Sequence, residues 1–366
     1  MDRSALAYNH AFTLCITIAL AFALALSSCG RAPSSSEALA AADPTQGNPA
    51  PNELRTETRD GLLGTIVTIS AYSDSDSAFS DCFGAIADVD RRMTANAADS
   101  EIAAVNAVAG KKAAEVSDDT HRLLLLARDI YEQSGGAFDV SIGSVSSLWK
   151  EDGKFARLPE RSEIEAKLPL VSQGGIVLSE GNTVRIDKAG AMLDLGGIAK
   201  GYACDLVLER LKEHGVSGAF IDLGGNIYAH GRKPGGKKWR VGIRYPEIGD
   251  DAVACVLNVS DRAVVTSGGY ERYIERGGAT YHHILDPKTG YPAESGLRSV
   301  TIVAASSTLA DALSTACFVL GLEGGKQLLE KYPECEAIFI TDDNTLYTTD
   351  GLGGQVEITD SRIKLG

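Results

Sequence analysis

Apolar positions along this chain recur with two periods, and the places where one gives way to the other mark its elements. Gly61 to Ser73, GLLGTIVTISAYS, alternates around β-branched residues and predicts a first strand. From Ser77 to Met93 the spacing becomes helical, with Phe79, Phe83, Ile86, Val89 and Met93 on one face. A second helix is predicted in VSDDTHRLLLLARDIYEQSGG, with Ser117 as its N-cap and Gly135 and Gly136 as its stop. Thr183–Ile186 and Met192–Leu195 read as extended segments, and a glycine turn then leads into a helix from about Ala199 to His214. GAFIDLGGNIYAHG, KKWRVGIRYP, CVLNVS, AVVTSG and SVTIVAA predict strands. STLADALSTACFVLG predicts a helix ending at Gly321, and EAIFITDDNTLYTTDG a hairpin that turns at Asp342, Asp343 and Asn344. Hairpin-spaced strands interrupted by a few long helices predict an α+β fold with a mainly antiparallel sheet, in one compact domain with room for two lobes.

The pattern changes before Thr56. Ala11 to Leu26 is an apolar run of signal-peptide length, short for a membrane span, behind a polar start whose only basic residue is Arg3. It ends in LSSC, which resembles a lipobox and makes Cys29 the expected lipidated first residue of the mature chain. An uncleaved anchor or an ordinary secretory signal are the other readings, and all three export the domain. Residues 29–55 are rich in Ala, Pro and Ser without apolar periodicity, so they are expected to form a flexible tether. The expected organisation is a leader at 1–28, lipidated Cys29 and tether at 29–55, and a catalytic domain at 56–366.

Composition narrows the function. A formal charge of −14 argues against a nucleic-acid surface, which needs a basic face to neutralise phosphates. If phosphate is handled, it is in a local pocket, with a metal cation to help. Cys82, Cys204, Cys255, Cys317 and Cys335 are an odd, scattered set without a C-x-x-C pair, so neither a disulfide framework nor a thiol metal site is expected.

Five stretches could carry chemistry. LDLGGIAKGYACD, Leu193 to Asp205, is a strand, a glycine pair and a helix start, which lets backbone N–H groups approach a phosphate, with Lys200 as a nearby cation. A tight turn that merely needs glycine is the plainer account. Asp311 and Thr315 stand i,i+4 on one helix face, a carboxylate and a hydroxyl that suit a hard cation such as Mg²⁺; the alternative is an exposed acid beside a threonine bonded to its own helix. TSGGYER, Thr266 to Arg272, suggests a ligand-touching loop, and Phe138 and Asp139 follow a helix end where a ring and an acid could meet a planar ligand. In HHILDPKTGYP, His282 and His283 are adjacent in an extended stretch and so point to opposite faces, which disfavours a shared metal.

Taken in order, MTANAADSEIAAVN, SGGAFDVSIGSVSSLW, LDLGGIAKGYACD, LGGNIYAHG, TSGGYER, YHHILDPKTGYP and SVTIVAASSTLADALSTACFVLG resemble the FAD:protein FMN transferases of the ApbE family. The resemblance implies an ApbE-like, T-fold-related architecture and an exported Mg²⁺-dependent enzyme. Such an enzyme binds FAD as substrate, moves FMN to a Ser or Thr of an acceptor flavoprotein such as an Rnf- or Nqr-like redox-pump subunit, and releases AMP. It further implies Mg²⁺ ligation by Asp311, Thr315 and the Ala199 carbonyl. Gly64, Asn96, Ala137, Phe138, Asp139, Gly196, Lys200, Tyr202, Thr266, His283 and Ile284 would line the FAD pocket. His283 is expected to contact phosphate or move a proton and His282 to be structural. Asp286 is expected to cap the turn, or to assist the incoming hydroxyl. The implied location is the periplasmic face of the cytoplasmic membrane, with the outer membrane open as an alternative because Gly30 is not the aspartate of the usual retention signal.

Two residues depart from the family pattern. Asn96 stands where many of these transferases carry tyrosine, and Gly269 where an acid or amide is common. A more water-accessible site would let water attack the diphosphate, giving FAD hydrolysis as the alternative activity. A non-catalytic flavin-binding lipoprotein is a third reading.

Overall fold

Nine strands form one sheet whose spatial order is also the chain order, as befits hairpin-spaced strands. They are Arg55–Leu62, Thr65–Ala71, Gly218–Leu223, Asn226–Gly231, Arg262–Gly268, Leu297–Ala304, Glu336–Thr341, Thr345–Thr348 and Lys364–Leu365. Every neighbouring pair is antiparallel except the last. The coordinates are a computed structural model that describes residues 53–366. The leader, Cys29 and all of the tether before residue 53 lie outside the described residues.

One face of the sheet is covered by the Asp76–Met93, Ala199–Glu213 and Ser307–Leu329 helices. Phe79, Phe83, Ile86, Val89 and Met93 all point into this core, as their spacing requires. The other face carries Ala229, Val264, Val303 and Ile338 and packs against a small sheet of Trp239–Arg244, Val253–Val259 and Val356–Ile358. A third cluster, around Val145, Trp149, Ile164 and Leu285, supports the loops beside the site. Among the described residues the apolar side chains gather into these three clusters. No helix among the described residues is long and apolar enough to cross a membrane. The five cysteines are free and buried, in keeping with their scattered spacing.

The expected elements recur with three changes. The strand read over Gly61–Ser73 is the end of one strand, a turn through Leu63 and Gly64, both at positive φ, and the strand Thr65–Ala71. The strand before it, RTETRDGL, sits at the sheet edge and is mostly exposed, so it has no apolar alternation to betray it. Met192–Leu195 forms only an isolated bridge, Met192 with Ile142. The last helix is one apolar run to Gly321, where φ of 75° breaks it, and a second piece runs on to Leu329.

Strand register defines two ends of the sheet. Arg55 pairs with Ala71, Ala71 with Ala219, and Gly218 with Gly231, so the chain enters the domain at one end. The 63–64 turn, the Gly224–Gly225 turn and the last residues of Arg262–Gly268 lie at the other.

Candidate active site

The end of the sheet opposite the chain's entry collects the polar groups. Here the Ala199–Glu213 and Ser307–Leu329 helices approach so closely that a Cβ at Gly201 would lie 2.3 Å from the Ser307 carbonyl oxygen and 2.7 Å from the Asp311 Cβ. Only glycine allows this contact. It lets the Gly201 N–H donate to Asp311 Oδ2 at 2.9 Å, while Lys200 Nζ approaches Asp311 Oδ1 at 3.4 Å. Asp311 is 3% exposed, so its charge depends on these partners rather than on water. The plainer reading of Asp311 as an exposed acid is therefore wrong.

Asp205, which sequence reasoning left without a role, fixes the same junction. Its carboxylate accepts from Ser306 Oγ, Ser307 N, Thr308 N and Thr308 Oγ1 at 2.6–2.9 Å. It therefore caps the helix that carries Asp311, from within the helix that carries Lys200. One turn beyond Asp311, Thr315 Oγ1 lies 3.5 Å from Ser267 Oγ, and Ser267 Oγ is bonded to Ser314 Oγ at 2.8 Å. A Cβ at Gly197 would meet Phe138 Cε2 at 3.1 Å and Thr315 Oγ1 at 3.4 Å, so the Phe138 ring borders the glycine turn and Thr315 together. Asp194 holds that turn, accepting from Gly196 N, Ser146 Oγ and Lys150 Nζ. Burial raises its pKa, and the Lys150 charge and these bonds outweigh burial, so the net shift is downward.

The two histidines diverge as their spacing requires. His282 Nε2 meets the Ala293 carbonyl at 3.1 Å and its ring stands edge-on to Phe318. His283 Nδ1 lies 3.2 Å from the Arg272 carbonyl, which can only accept, so Nδ1 carries the proton and Nε2 keeps a lone pair. Part of the imidazole is open to solvent, but crowding by protein, with the cations of Arg272 and Lys200 adding to it, pushes its pKa down to about 3. His283 is thus a neutral base at physiological pH, under the same positive field that would receive a diphosphate. Phe155 stands edge-on to it at 6.4 Å and stacks on Trp149. Phe155 ends a small hairpin, Lys150–Glu151 with Lys154–Phe155, whose Gly153 lies against Asn96. The hairpin therefore joins Asn96, Asp194 and His283, which sequence spacing did not connect. A cleft of about 790 Å³ opens on the His282 side, bordered by Gly269, Tyr270, Glu275, His282, Arg298 and Phe318, and none of Asp311, Lys200, Thr315 and His283 lines it.

Other expected residues lie in supporting positions. Asp139 is buried and accepts from the amide and hydroxyl of Ser141; burial raises its pKa against those bonds. Ala137 is buried beside it, and the Ile284 side chain packs in the main core. Gly64 lies in the 63–64 turn with open space around it.

Three side chains are not brought to the cluster. The Thr266 hydroxyl bonds to Thr301 on the opposite face of its strand, so the hydroxyl at Thr315 comes from Ser267. Tyr202, two residues after Lys200, is on another face of its helix, where burial and the Asp119 charge raise its pKa. Asp286 is placed as a capping residue rather than as an acid for chemistry: its Oδ1 accepts from Lys288 N and its carbonyl from Gly290 N. Gly269 has a steric reason of its own, because a Cβ there would sit 3.0 Å from the His282 ring.

Among the described residues no group of three or more His, Cys, Asp or Glu could hold a metal. Asp311, Thr315 and the Ala199 carbonyl are a different kind of set, all oxygen and built around one buried carboxylate. They fit a hard cation that takes its remaining ligands from water or phosphate.

With this geometry in view, comparison with known proteins is specific. The sequence model of the ApbE family matches residues 63–339. The FAD:protein FMN transferase of Treponema pallidum is 37% identical over 83% of this chain and 89% of its own length, and one from Klebsiella pneumoniae is 34% identical over 76% and 87%. Among solved structures, the ApbE protein of Thermotoga maritima superposes with a TM-score of 0.75 at 31% identity, covering 83% of this chain and 99% of that one. The apo flavinyl transferase ApbE of Pseudomonas stutzeri gives 0.72 at 29% identity, covering 83% and 96%.

Proposed function

This chain belongs to the ApbE family, and from that premise we propose that it is an FAD:protein FMN transferase, moving the FMN half of FAD to a Ser or Thr hydroxyl of an exported protein. The observation that carries the reading is the joining of a buried Asp311, its partner Lys200, Thr315 and a neutral His283 at one end of the sheet. The acceptor oxygen bonds to the FMN phosphorus as the bond from that phosphorus to the bridging oxygen breaks. AMP leaves with the bridging oxygen and its electron pair, and the hydroxyl proton passes to His283 Nε2, whose low basicity in the free protein the negative charge of the bound diphosphate would raise. Phosphoryl transfer is mostly positioning and charge stabilisation. Lys200 and Arg272 supply that charge locally in a protein of net −14.

We further propose that Asp311, Thr315 and the Ala199 carbonyl hold Mg²⁺, which when bound offsets diphosphate charge and polarises its oxygens. Lipidation of Cys29 places the enzyme at the periplasmic face of the cytoplasmic membrane, within reach of an Rnf- or Nqr-like subunit as acceptor. Mass analysis of the N-terminal peptide tests that part alone; an unmodified Cys29 would remove it.

Incubation with FAD, Mg²⁺ and a candidate acceptor, read by mass spectrometry, tests the activity. AMP with FMN on the acceptor is the expected result, free FMN with AMP would make water the acceptor, and no AMP would overturn both. At Gly269 a Cβ would crowd the His282 ring at 3.0 Å. Asn96 is the residue to vary. Asn96→Tyr should raise the ratio of transfer to hydrolysis, and an unchanged ratio would show that this position does not exclude water.

A further inference from the structure

The segment that joins the Asn226–Gly231 strand to Trp239–Arg244 carries Arg232, Lys233, Lys237 and Lys238, with Arg240 following in the second strand, in a chain of net −14. Lys233 and Lys237 face each other across a bridge, Lys233 N donating to Lys237 O at 2.9 Å. Gly235 and Gly236 close the tip at φ of 79° and 77°, a backbone that side-chain-bearing residues adopt poorly. Arg240 is paired with Glu357, and Lys233 Nζ rests 5.0 Å over the Trp239 ring. Arg232, Lys237 and Lys238 are exposed, and none of them, nor Lys233, has a carboxylate partner among the described residues. Arg232 instead donates to the Gly236 carbonyl, which stiffens the loop. This is a rigid tip that keeps its positive charge in water.

Its position gives that charge a use. Gly231 pairs with Gly218, Ala219 with Ala71, and Ala71 with Arg55, so the loop leaves the sheet at the same end at which the chain enters the domain. Only three strand spacings, roughly 15 Å, separate the two. The candidate active site lies at the other end, a strand length of about 20 Å away. Of the acids at the entry end, Asp76 pairs with Arg55, and Asp261 accepts from Gly231 N and faces His230, whereas Asp74 is exposed with no ion pair among the described residues.

We propose that the Arg232–Lys238 loop is a membrane-docking tip that sits on anionic phospholipid headgroups and turns the active site away from the bilayer, toward acceptor proteins. The orientation rests on the lipid-anchor reading of Cys29, but the loop's affinity for headgroups does not. Each cation near an anionic surface strengthens partition about fivefold, and the effect fades within a Debye length of about 8 Å at physiological salt. A flexible tether from Cys29 to the domain spans about 25–30 Å, so it lets the loop reach the surface and leaves it to the loop's own charge to hold it within that distance.

The test uses the chain from Gly30 onward, which lacks the apolar leader and contains every described residue. A Cys29-free chain cannot be lipidated, so binding reports the loop and not the anchor. It is floated with vesicles of phosphatidylcholine alone or with added phosphatidylglycerol. Expected are binding only to the anionic vesicles, weakening as salt rises, and a loss of at least about tenfold in Lys233→Glu/Lys237→Glu/Lys238→Glu. AMP release from FAD in solution should be unchanged in that variant, because its substitutions lie at the far end of the sheet. Equal partition into neutral vesicles, no binding to anionic ones, or undiminished binding by the triple variant would each overturn the proposal. Should Cys29 prove unlipidated while the loop still binds, the anchor reading alone fails.

Discussion

Asp311 and His283 behave differently from the same residue types at a surface. Asp311→Ala removes a buried carboxylate and leaves Lys200 and the Gly201 N–H without their acceptor. Activity should fall by about 100-fold or more, the scale for a group that stabilises charge in the transition state. Calorimetric titration with Mg²⁺ should show weakened binding in parallel, and unaltered metal affinity would remove Asp311 from the metal site. For His283 the sign follows from its depressed pKa. The unfolded chain takes up a proton near the ordinary value of about 6.5, whereas the folded chain refuses it until about 3. Stability from the neutral ring is thus present above about 6.5 and lost as pH falls through that window. His283→Gln should flatten the acid side of a Tm-against-pH curve, and a curve identical to wild type would show that the ring is not so shifted. This pairing of position and protonation state is invisible in sequence, where the two histidines differ only by one place.

Between elements, the decisive contact is helix against helix. Gly201→Ala would drive a Cβ into the Ser307 carbonyl, which is backbone and cannot rotate away. The helices must part, at a cost of about 1–3 kcal/mol, and Asp311 moves with them. A Tm lowered by several degrees together with weaker Mg²⁺ binding is the expected result; normal stability would mean the helices are looser than described. Asp205→Ala removes four hydrogen bonds from the N-terminus of the Ser307–Leu329 helix, and a loss of about 2 kcal/mol in denaturant unfolding is expected. Helical periodicity made these helices legible, and i,i+4 spacing placed Asp311 beside Thr315. It did not reveal that Asp205 reaches across to the neighbouring helix, because no local period links residues a hundred positions apart. The Lys150–Phe155 hairpin escaped for another reason: its paired strands have two residues each, too short to display alternation.

At the scale of the molecule, the sheet separates two tasks by its length. One end receives the chain and carries the basic loop; the other carries the active site. The tether has no apolar periodicity with which to join a core, so a chain beginning at Glu53 should unfold in one cooperative transition with the Tm of the longer chain. A large drop in Tm on removing residues 1–52 would show that the leader or tether contributes to the fold.

The sequence by itself determined the α+β class, the principal helices, most of the sheet strands and the shared helix face of Asp311 and Thr315, since each depends on a period or on a residue's own backbone preference. It also carried the ordered motifs of the ApbE family. Tertiary structure alone decided that Ser267 rather than Thr266 faces Thr315, that Gly269 lies against the His282 ring, and that His283 is pushed toward its neutral form. Those outcomes depend on which face of a strand is covered and on which charges converge, and both are fixed only when distant segments pack together.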